Sequence, residues 1–182
     1  MGEIKSALEL AMERSKKYAV SEEEREKIKE KELLQKATGL FNRYMESFLP
    51  LHEIAREIER MGEETGQRMK ATLLSLCVDA LSLDLDKDPE RLFPVIELIK
   101  NRDLSDIKKK VQTLFMAYRE EIERARQRVS LGLTEALKEE KIYGDAVLPN
   151  VEGNDRWRQT LDGLTRSYEG RLEEIREALR KL

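Results

Sequence analysis

The stretch LSDIKKKVQTLFMAYREEIERARQRVSLGLTEA, residues 104–136, decides the fold. Its apolar positions are Leu104, Ile107, Val111, Leu114, Tyr118, Ile122, Ala125, Val129, Leu133 and Ala136. They recur every three or four residues with a mean spacing of about 3.56, between the coiled-coil period and that of a straight helix. A continuous helix of nearly forty residues, rising about 1.5 Å each, makes a rod of roughly 55–60 Å. Gly132 alone is too weak a breaker to divide it.

The same period extends on both sides. Downstream, Trp157, Leu161, Leu164, Tyr168, Leu172, Ile175, Leu179 and Leu182 form a second stripe, with Asn154 or Asp155 as its cap. Between the two stripes lies the longest irregular stretch, Tyr143–Gly153 with Pro149; Val147, Leu148 and Val151 are expected to pack it onto the helices. Upstream, Asp88-Pro89 is a cap followed by a helix-starting proline, and Pro94 cannot continue the same helix. One turn at Pro89–Leu92 and a short helix over Pro94–Lys100 follow from that pair.

Between Lys70 and Asp86 the polar residues Ser75, Asp79, Ser82 and Asp86 fall on one narrow helical stripe, and nearly all else from Leu73 to Leu85 is apolar. Such a segment is buried inside a domain or covered by a second subunit. Leu73, Leu76, Cys77, Ala80 and Leu81 are therefore the candidate core or self-association face. One helix is expected from Leu51 to about Leu85, with Gly62 and Gly66 marking a bend or a close crossing. Ahead of it, Ser21 and Glu24 form a capping-box pair, and Leu33, Leu34, Ala37, Leu40, Phe41, Tyr44, Met45 and Phe48 make a stripe that stops at Pro50. Glu32 and Lys36 are spaced for an ion pair within that helix. Ile4, Ala7, Leu8, Ala11 and Met12 mark a short first helix ending near Lys17.

The composition agrees with long rods. Charged residues make up 39% of the 182 positions, with only nine glycines and four prolines, against about 25% charged in an ordinary soluble domain. So few turn-formers do not make the frequent reversals of a sandwich or a doubly wound sheet. The expected fold is all-α: one domain over 1–182, an elongated antiparallel bundle of four long helices and about two short ones with coiled-coil-like packing. Residues 1–32 are expected as a peripheral, charged helical segment of it.

One cysteine and one histidine exclude an internal disulfide, a four-ligand cysteine/histidine zinc site and a di-iron bundle with two Glu-x-x-His motifs. No cofactor, metal site or catalytic motif is expected. A net charge of −3 disfavours unspecific nucleic-acid binding. The apolar run over Leu73–Leu85 carries Asp79 and Asp84 and is too short to cross a membrane. Glu3, Glu9 and Glu13 interrupt any leader-like apolar run, so a cytoplasmic protein is expected.

Isolated chemistry-bearing residues read as structural. His52 follows the Pro50 corner, with Arg56 four residues on opposing its protonation. Cys77 has Leu73, Leu74, Ala80 and Leu81 as helical neighbours, the setting of an inert buried thiol. Asp84, Asp86 and Asp88 resemble a calcium loop only until Pro89 and Val95 appear where glycine and glutamate belong. Lys108, Lys109, Arg124 and Arg128 are the candidate basic patch, although three consecutive lysines from Lys108 wrap round a helix instead of forming a flat patch.

The leading expectation is a non-enzymatic interaction or scaffold protein that self-associates as a dimer. Its alternative is a peripheral binder of an anionic surface through the basic helix around 108–128. An enzyme would need a carboxylate site gathered from Asp79, Asp86, Glu97 and His52.

Overall fold

The computed structural model describes residues 21–142, 144 and 147–182. The expected first helix over Ile4–Lys17 lies outside them. Among the described residues there is no strand, and six α-helices follow in order: α1 Glu22–Met45, α2 Leu51–Arg60, α3 Glu63–Ala80, α4 Phe93–Lys100, α5 Ser105–Glu139 and α6 Asp155–Lys181. A 3-10 turn over Pro89–Leu92 leads into α4, as the paired prolines predict.

The capping box opens α1. The Glu24 amide donates to Ser21 Oγ at 3.2 Å, and the Ser21 amide donates to the Glu24 carboxylate at 2.9 Å. The far end stops earlier than the apolar stripe suggests. Ser47 takes a φ of +65°, and the Phe48 and Leu49 amides both donate to the Arg43 carbonyl at 2.8 and 3.0 Å. Pro50 bars Leu49 from helical geometry, so the chain turns outward and Phe48, expected inside, is 74% exposed. Lys36 pairs with Glu57 of α2 at 3.0 Å, a contact between helices that replaces the expected one with Glu32.

The single helix expected over 51–85 is corrected at two places. Gly62, with a φ of +74°, separates α2 from α3, a backbone conformation that costs an L side chain. Four residues later, a Cβ on Gly66 would lie 3.1 Å from the Ile58 carbonyl oxygen, so this glycine permits the close crossing. The second correction is at Ala80, where α3 ends. Leu81 takes extended backbone, and burial alternates from there to Asp84, with Leu81 and Leu83 buried, Ser82 half-buried and Asp84 exposed, before a turn at Leu85–Asp86. This alternation has the period of an extended chain, not of a helix.

α3 is the central helix, packing against α1, α2, α4 and α6. The core gathers Met69, Leu73, Cys77 and Val78 of α3 with Phe93 and Ile96 of α4, and Val111 and Tyr118 of α5 with Leu172 and Leu179 of α6 join them. α5 runs 35 residues without interruption through Gly132, about 52 Å at the standard rise. It lies antiparallel to α6: the Tyr118 and Tyr168 rings are 5.1 Å apart, and Arg126 reaches back to Glu152 at 2.9 Å. Asn154 caps α6 by accepting from the Arg156 and Trp157 amides. In the loop before it, Val151 is buried and Val147 half-buried, but Leu148 is 86% exposed, contrary to expectation.

Candidate functional site

Three places on the molecule combine geometry with chemistry. The first is an arm. Beyond the main core, Ala125, Val129, Val151 and Trp157 form a separate apolar cluster, with Ile122, Leu133, Leu161 and Leu164 packed against it. Every member belongs to α5, α6 or the loop joining them. Trp157 anchors the cluster, and its indole N–H donates to Glu152 at 3.1 Å. Leu133 and Leu161 remain half-buried, since no third helix contributes to the cluster, while Ile122 and Leu164 bridge it to the main core.

The second is an open cleft of about 520 Å³ between the loop 85–90 and the first half of α5. Leu85, Pro89, Phe115 and Met116 supply apolar surface, and Met116 is 65% exposed. Asp86, Asp88 and Glu90 stand on the loop side, and Arg119 stands on the helix side. Glu90 is held by Gln112, whose amide donates to it at 2.7 Å. The cleft offers apolar contact edged by both signs of charge.

The third is a smaller pocket of about 240 Å³ on the other side of the same loop, between it and the ends of α1 and α3.

The residues singled out from sequence distribute as follows. Leu73 and Cys77 are fully buried and Leu81 is 2% exposed, while Leu76 and Ala80 are half-buried. The cover of Leu73, Cys77 and Leu81 comes from the chain itself. Burial pushes the Cys77 thiol up to about 12, the opposite of activation. Lys108 sits over the Phe93 ring and pairs with Glu97 at 2.7 Å. Arg124 pairs with Glu120 at 3.1 Å, and Arg128 donates to the Arg124 carbonyl. Lys109 is exposed. With roughly 30 Å of helix between Lys108 and Arg128, these cations do not gather into one patch.

Asp79, Asp86, Glu97 and His52 are not brought together either. Asp79 accepts from Ser75 and Arg180, and Glu97 accepts from Lys108 and the Leu104 amide. His52 is an exposed neighbour of Glu53, and Asp86 lies on the cleft loop. Sequence reasoning missed Arg176, whose side chain is 13% exposed. Its Nε, at 2.9 Å, and its Nη2 donate to the Leu81 carbonyl, and its Nη1 donates to both Glu169 and Glu173. It stands in an ordinary helical charge pattern, so nothing local marks it.

No family model matches the chain, and no curated protein or solved structure shows significant similarity to it.

Proposed function

We propose that this chain is a non-enzymatic helical interaction protein that self-associates, with a second copy docking along the arm of α5 and α6. One observation carries the reading: the apolar seam around Val129 and Trp157 is built by two helices and their loop alone, leaving Leu133 and Leu161 half-buried. A layer of two helices buries its stripe fully only against another layer. Two arms laid together give four helices round one seam, an antiparallel bundle with coiled-coil-like packing. Such association needs no change in the core.

Sedimentation equilibrium across the micromolar range tests it. The expected result is a monomer–dimer equilibrium that L133D and L161D, at positions packed only on the arm cluster, each shift to monomer with unchanged helical circular dichroism. L131D is the control, because Leu131 is 64% exposed and is not part of the arm cluster. A wild-type chain that stays monomeric at all concentrations, or a dimer indifferent to Leu133 and Leu161, overturns the proposal.

A further inference from the structure

The first half of α5 carries two stripes. Val111, Leu114 and Tyr118 are buried in the main core, whereas Gln112, Phe115, Met116 and Arg119 line the open cleft of about 520 Å³ opposite the loop 85–90. The second set is spaced i, i+3, i+4 and i+7, one helical stripe about 10 Å long. Phe115 is half-buried and Met116 is 65% exposed, and the half-buried Leu85 and Pro89 complete an apolar floor from the loop side. Large apolar side chains left open together in one cleft mark an interaction surface. Met116, unbranched and polarizable, suits a surface that adapts to its partner.

The charges at the rim select the partner. Asp86, Asp88 and Glu90 edge the cleft from the loop, all of them exposed. Their contacts are with neutral groups: the Asp86 amide donates to Asp84, Asp88 accepts from the Glu90 amide, and Glu90 accepts from the Gln112 side chain. Lys87, the cation on the same loop, is paired with Asp84 at 3.1 Å. Arg119 is the positive charge on the helix side. The rim is therefore negative in excess, and a cationic partner complements it. An open cleft does not enclose a small molecule as a ligand pocket does. Nor is there a strand among the described residues to offer its edge to an extended peptide. A helix satisfies its own backbone and lays an apolar stripe into such a groove.

We propose that the cleft docks about two turns of a cationic amphipathic helix from another protein. Its apolar stripe rests on Leu85, Pro89, Phe115 and Met116, and its lysines or arginines face Asp86, Asp88 and Glu90. This docking is independent of self-association along the arm, since no member of the arm cluster lines the cleft.

The test titrates the full chain with two alanine-based helical peptides that share a leucine stripe, one edged with lysine and the other with glutamate. Methionine methyl resonances are followed by NMR. The lysine-edged peptide should shift the Met116 signal saturably and leave that of Met69, fully buried in the core, in place. The glutamate-edged peptide should bind more weakly. D86K, at an exposed loop position, should weaken the lysine-edged peptide by about fivefold, an attraction turned into a repulsion. High salt should weaken it on the wild-type chain as well, a comparison that needs no variant. Three results overturn the proposal: a Met116 signal that the lysine-edged peptide does not move, equal affinity for the two peptides, or a Met116 shift when the chain alone is concentrated, which would put a second copy in the cleft.

Discussion

At the scale of single residues, the tightest constraints lie where α3 ends. Cys77 is fully buried and its thiol is pushed up to about 12. The folded state keeps the proton that an unfolded chain releases near 9, so this group's stabilisation is present below 9 and lost as pH rises towards 12. The native protein should resist thiol reagents at pH 8 and react fully in denaturant, as a colorimetric thiol assay would show. Arg176 is the other fixed point. R176A leaves the Leu81 carbonyl and the Glu169 carboxylate without their donor and should cost about 1.5–3 kcal/mol in urea denaturation. R176K should not restore it, because an ammonium cannot reproduce the guanidinium fork. L73A should cost more, about 2–5 kcal/mol, by opening a cavity at a fully buried site.

At the scale of elements, two glycines separate conformational need from tolerance. Gly62 joins α2 to α3 at a φ of +74°, whereas Gly132 lies inside α5 with open space around its Cβ position. G62A should therefore destabilise by about 1 kcal/mol, and G132A should stabilise by up to about that amount; paired thermal melts compare them directly. The long stripes of α5 and α6 are legible in the sequence because apolar side chains at helical spacing need only local geometry to be read. The capping box at Ser21 and the turn at Pro89 are legible for the same reason. The end of α3 is not. Leu81–Leu85 keeps an apolar composition that suits a helix, and what holds the Leu81 carbonyl is Arg176, 95 residues away. Nor is the smaller pocket legible, since Phe41, Ala80 and Leu92 meet only after α1, α3 and the loop have packed.

At the scale of the whole molecule, ion pairs, one joining α1 to α2 and one cluster along α6, add a pH dependence. Lys36 beside Glu57, and Arg176 with Arg180 beside Glu173, hold those two carboxyls below their usual range. Their contribution is present above the ordinary value near 4.5 and is lost as pH falls through the lowered folded value. Denaturation midpoints should decline on acidification below pH 5, and less so in E57Q. Both carboxyls remain partly open to solvent, so the effect should also shrink in high salt.

One uninterrupted rod, α5, takes part in both apolar clusters: the large one through Val111, Leu114 and Tyr118, the small one through Ala125 and Val129. Its two halves thus rest on unequal foundations. Peptide hydrogens near Val111 should exchange with solvent only when the entire molecule opens, while those beyond Val129 should exchange through a cheaper, partial release of the tip. A single helix would then carry a gradient of protection along its length, steep where the small cluster begins.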